Sequence, residues 1–115
     1  MEMDVTLLNP EAVYSGDDLL FDVSMNTHTV SLDKYRIEAL SFLRDERGKL
    51  FKALAWESSK GGGHHRFGKL RFPGKDSDGK SIIRKNDKYI EVVIKDIGGI
   101  EERAFRWKLP VMVGI

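Results

Sequence analysis

The sequence predicts an all-β protein: an antiparallel sandwich of about seven strands, immunoglobulin-like or cupredoxin-like, filling residues 1–115 as one domain. Three observations predict it. Hydrophobic residues recur with a period of two in several short runs, which is the mark of strands with one buried and one wet face. Turn-forming clusters separate those runs at close intervals. No stretch carries a convincing helical period.

The strands follow in order. "MDVTLLN" opens the chain. "LLFDVSMNTH" then places Leu19, Phe21, Val23 and Met25 on one face and Leu20, Asp22, Ser24 and Asn26 on the other. "THTVSLDKYR" is ambiguous, fitting either a short strand switch or a single helical turn. "IEALSFLRD" (37–45) and "KLFKALAWES" (49–58) read as two strands joined by a hairpin, with Gly48 where a tight turn needs a positive φ. "RFGKLRFP" points Leu70 and Phe72 inward. The polar, basic stretch from Gly74 to Asp87 reads as a long loop. "KYIEVVIKDI" groups Ile90, Val92 and Ile94, and "ERAFRWKL" groups Phe105, Trp107 and Leu109. Trp56 and Trp107 both fall on inward faces and are expected to pack in the core.

Composition narrows the function. With 41% hydrophobic and 32% charged residues, the chain has an ordinary globular make-up. No apolar run approaches the roughly 20 residues that cross a bilayer as a helix, so this segment is not expected to insert in a membrane. Nor does the start read as a signal peptide; an exported protein would carry its targeting segment outside this chain. The absence of cysteine excludes disulfides, thiolate catalysis, iron–sulfur clusters, cysteine zinc sites and blue-copper centres.

Charge is uneven. Residues 1–33 hold seven acids and no Lys or Arg, whereas residues 58–88 hold nine bases and three acids. Lys60, Arg66, Lys69, Arg71 and Lys75 could contact phosphates with Phe67 as a stacking partner. Lys69 and Arg71 are also the expected wet face of a strand opposite Leu70 and Phe72, and nucleic acid is the weaker reading.

The motif that stands out is "GGGHH". Its place between two strands marks it as part of the domain rather than a tag. In a regular strand His64 and His65 would face opposite ways. Gly61 to Gly63 free the backbone so that the two imidazoles can converge. The third histidine, His28, ends an earlier strand, and loops of a sandwich cluster at its two ends. Three neutral imidazoles are a suitable ligand set for Cu or Zn, completed by water or a carboxylate. The candidate metal ligands are therefore His28, His64 and His65. Glu57 is added as the nearest carboxylate in sequence, and Met25 as a soft ligand for Cu(I). Against this stands a plainer reading, in which the histidines hydrogen-bond carbonyls or pack on Trp56.

Other motifs carry less. "KDSDGKS" lacks a third liganding position and the terminal glutamate of a calcium loop, and reads as a turn. No nucleophile elbow occurs, and the Asp17–Asp18 and Glu101–Glu102 pairs sit in turn-like segments. No catalytic residue is expected.

Taken together, "THTVSL", "LRDERGKLFKALAWE", "GGGHHRFGKLRFP" and "IEVVIKDIGGIEERAFRWKL" resemble an uncharacterised prokaryotic domain family. Its pattern is Thr-His, then Gly-Gly-x-His-His-x-x-Gly-x-Leu-x-Phe, then Arg-x-Phe-x-Trp. The resemblance covers about Leu19 to Leu109 and maps the pattern onto Thr27, His28, Gly62, Gly63, His64, His65, Gly68, Leu70, Phe72, Phe105 and Trp107. It implies an extracytoplasmic module and no particular activity. Since the histidines of that pattern are hard to explain as packing, it strengthens the metal reading. The expected function is a small non-enzymatic domain that holds, delivers or senses a transition-metal ion. The alternative is an immunoglobulin-like module binding another protein, with a structural histidine loop.

Overall fold

The computed structural model describes residues 1–29 and 31–110. Val30, inside the ambiguous segment, and residues 111–115 lie outside the described residues. Eight strands form two four-stranded antiparallel sheets. In chain order they are β1 (Glu2–Leu7), β2 (Leu19–Asn26), β3 (Ser41–Arg44), β4 (Leu50–Lys52), β5 (Ala55–Gly62), β6 (His65–Phe72), β7 (Tyr89–Ile97) and β8 (Ile100–Lys108). One sheet has the order β1-β2-β6-β5 and the other β4-β3-β7-β8. The expected all-β sandwich is what forms.

Alternation places the core. Leu19, Phe21, Val23 and Met25 of β2 meet Leu70 and Phe72 of β6 and Ile90, Val92 and Ile94 of β7, all buried. Phe21 sits edge-on to Phe72 at 5.6 Å and tilted against Trp107 at 4.9 Å between ring centroids. Both tryptophans pack against this core, as expected. Strand β7 departs from simple alternation because its outer face is covered too. Glu91 lies there, cross-strand to Arg44 and Arg106, and accepts from both at 2.9 and 3.2 Å.

Three details differ from the sequence reading. The run 49–58 is two strands. β4 belongs to one sheet and β5 to the other, and the chain crosses between them at Ala53 and Leu54. Ala53 N–H donates to Ser41 O in the first sheet and Leu54 N–H to Arg71 O in the second. Alternation continues through the crossing, so no pattern marks it. The run 37–45 opens as a helical turn, α1 (Ile37–Leu40), before β3. Its end is stitched by Ser41 Oγ donating to Ile37 O at 2.7 Å. Finally, the stretch 74–87 is anchored rather than purely polar. Ile82 and Ile83 are buried, and Arg47 bonds Asp87 at 2.7 Å and Asp45 at 3.2 Å, tying this loop to the β3–β4 turn. Among the described residues, no helix is long and apolar enough to cross a membrane.

Candidate functional site

The β5–β6 hairpin closes Gly62 against His65, leaving Gly63 and His64 as a two-residue turn. Gly63 has φ +63°, the value a tight hairpin turn of this kind requires at its first central position. Gly61, just before it, has φ +80°, and a Cβ there would stand 2.4 Å from the carbonyl oxygen of His65. Both glycines are thus required by the bend that carries the histidines.

The segment following β2 lies along this bend. Thr27 N–H donates to His64 O at 2.9 Å, and Leu32 N–H to Gly63 O at 2.7 Å. Gly63 N–H in turn donates to Asp33 Oδ1 at 2.8 Å. Thr27 and Leu32 are buried, while His28, Asp33, His64 and His65 are exposed. His28, the neighbour of Thr27, therefore stands at the same end of the sandwich as His64 and His65, as expected from the clustering of loops.

His65 is the best defined of the three. It begins β6 opposite Asn26 of β2, and its Nδ1 lies 2.6 Å from Asn26 Oδ1. The contact engages Nδ1, so Nε2 is the ring nitrogen without a hydrogen-bond partner among the described residues. A partner on one ring nitrogen that frees the other is the usual support of a metal-ligating histidine. Side chains at this end are not already gathered around one point. Among the described residues, no three His, Asp or Glu side chains form a group that could hold an ion.

The two auxiliary ligands are placed elsewhere. Met25 is fully buried, pointing into the core from β2. Glu57 pairs with Lys69 of β6, four residues along that strand from His65, a separation of about 13 Å. Its carboxylate accepts from Arg71 Nε at 2.5 Å, and that guanidinium holds the Glu57 carboxyl below the ordinary carboxylate range. The carboxylate at the histidine bend is Asp33 instead. Nothing in the spacing of Asp33 and Asn26 singles them out; backbone pairing alone brings them to the bend.

Arg66 also has a different place from that of a phosphate contact. It follows the inward parity of Gly68, Leu70 and Phe72 and is half-buried. Its Nη1 donates to Leu32 O at 2.9 Å and to Tyr35 O at 2.6 Å, and its guanidinium lies 5.9 Å from the Trp56 ring centroid. Trp56 in turn lies flat on Gly68, where a Cβ would come within 2.4 Å of the indole. Trp56, Arg66 and the carbonyls of Leu32 and Tyr35 thus form a bracket that fixes residues 32–35 on the histidine hairpin. With Arg66 turned inward and Arg71 paired to Glu57 and Asp18, the expected basic face is reduced to its lysines.

Comparison of the chain with family models, with curated proteins and with solved structures finds no match.

Proposed function

We infer that this domain is a non-enzymatic binder of one transition-metal ion, Cu or Zn, through His28, His64 and His65. The observation that supports the reading is the hydrogen bond from Thr27 N–H to His64 O, which joins the residue before His28 to the hairpin that carries His64 and His65. The Asn26 contact adds to it, because it engages His65 through Nδ1 and leaves Nε2 pointing away from that partner, as a metal-ligating histidine requires. Asp33, whose Oδ1 already meets the bend, is the carboxylate that would complete a four-ligand shell; Glu57 and Met25 have no part in it. Holding, delivery or sensing of the metal in an extracytoplasmic setting is the role that fits such an exposed site.

Titration of dialysed protein with Zn(II) and Cu(II) by calorimetry tests this. One ion should bind per chain with low-micromolar affinity or better, and His64→Ala should abolish it. Absence of uptake by the intact chain would end the metal reading.

A second reading is a protein-interaction module. Its supporting observation is Phe67, 42% exposed at the middle of the outer face of its sheet, cross-strand to Ser24 and Lys60. Single aromatics in such positions anchor interfaces. In that case Phe67→Ala, and not His64→Ala, would remove binding to a partner.

A further inference from the structure

A sandwich of two open sheets has four edge strands, and each is a potential pairing site unless something blunts it. Three are blunted here. β4 is only three residues long. β5 is broken by an irregularity between Glu57 and Lys60, with Ser58 at φ +52°. β1 directs Glu2 and Asp4 to its exposed side, so a copy laid antiparallel about its middle would oppose Asp4 to Asp4.

β8 is neither short nor broken, and its charges are of both signs rather than one. It is nine residues long and contains neither glycine nor proline. Its register with β7 runs unbroken from Tyr89–Lys108 to Lys95–Glu102. The outer residues of β8 run Glu102, Ala104, Arg106, so charge reverses sign about Ala104. Glu102 and Arg106 keep side-chain exposures of 41% and 55% even after pairing with Arg44 and Glu91.

We propose that β8 pairs antiparallel with β8 of a second copy of this chain, about a two-fold axis at Ala104. In that register all nine residues overlap. Glu102 faces Arg106 of the other copy, twice by symmetry, and Arg103 faces Phe105. The small Ala104 meets itself on the axis, where a bulky residue would hold the strands apart. The two four-stranded sheets become one continuous sheet, and the edges left open among the described residues are the blunted ones, β1, β4 and β5. The charge order selects this register because opposite signs across a strand pair stabilise it and like signs destabilise it. A two-fold interface of this kind closes on itself and gives dimers rather than fibres.

The chain's lack of cysteine makes the test direct. Sedimentation equilibrium of the intact protein should give twice the 13.1 kDa chain mass within the micromolar-to-millimolar range. Under mild oxidation Ala104→Cys should form a disulfide-linked dimer, since directly opposed residues have Cα atoms about 4.5–5.5 Å apart, within disulfide reach. Glu102→Cys, which faces residue 106 and not itself, should cross-link at least about tenfold more slowly. Melting of each variant by circular dichroism shows that it is folded. A monomer at every concentration, or equal cross-linking rates at 102 and 104, overturns the proposal.

Discussion

Replacing Arg66 by alanine removes the bracket that holds residues 32–35 over the histidine hairpin. Two hydrogen bonds from a charged donor, to Leu32 O and Tyr35 O, are lost together with the stacking on Trp56. Hydrogen bonds to charged groups contribute about 1.5–3 kcal/mol each, and an exposed cation–π contact about 0.5–1. Arg66 is half-buried, so water recovers part of the loss, and a net cost of about 2–4 kcal/mol is expected. For a domain of this size that lowers the melting temperature by roughly 8–16 °C. Urea unfolding followed by far-ultraviolet circular dichroism measures it without relying on Trp56. Amide exchange should localise the effect, with Thr27 and Leu32 losing protection more than β7. Arg66→Lys should recover less than half, since its shorter side chain ends in an ammonium that lacks the planar guanidinium set against Trp56. A loss below about 0.5 kcal/mol, or one spread evenly over the core, would refute the bracket.

Two other changes probe the same scaffold. Gly68→Ala should cost about 1–3 kcal/mol and alter tryptophan emission, because its Cβ would overlap the Trp56 ring. Gly63→Ala meets nothing within 4 Å and should cost only about 1–2 kcal/mol of positive-φ strain, with tryptophan emission unchanged; equal spectra for the two variants would contradict the packing. Acid stability should depend on Asp87. Burial pushes its carboxyl up, but the Arg47 guanidinium and the Arg84 N–H outweigh this and hold it below the ordinary range. Its contribution is therefore present above about pH 4, the unfolded value, and is lost as pH falls through the lower folded value. Asp87→Asn should flatten the loss of stability below pH 4, measured by urea unfolding across pH; an unchanged slope would remove Asp87 from the account. Arg47→Ala leaves that carboxylate buried without its partner and should cost about 2–4 kcal/mol at neutral pH, and a variant as stable as the parent would contradict the clamp.

Most of the core was legible because alternation and burial are the same fact on a two-faced strand. Leu19, Phe21, Val23, Met25, Leu70, Phe72, Ile90, Val92 and Ile94 all turned inward as their period requires. The same period places Arg66 inward, two residues before Gly68, but its charge suggested a phosphate contact. What alternation does not encode is which sheet a strand joins. The crossing at Ala53 and Leu54 is decided by distant carbonyls, Ser41 O and Arg71 O. α1 is too short to show a helical period, and Ile82 and Ile83 are hidden within a charged stretch. At the site, the meeting of the Thr27 end of β2 with the hairpin followed from the way sandwich loops cluster. Its carboxylate did not: Glu57 is near in sequence and far in space, while Asp33 arrives through a backbone hydrogen bond.

The central claim rests on three imidazoles acting together, and a zinc titration followed by imidazole nitrogen NMR tests it most directly. The account predicts that the ring nitrogens of His28, His64 and His65 all shift and saturate together at one zinc per chain, with His65 bound through Nε2. If the three resonances stay in place, or move independently with different midpoints, the histidine end of this sandwich is not a metal site.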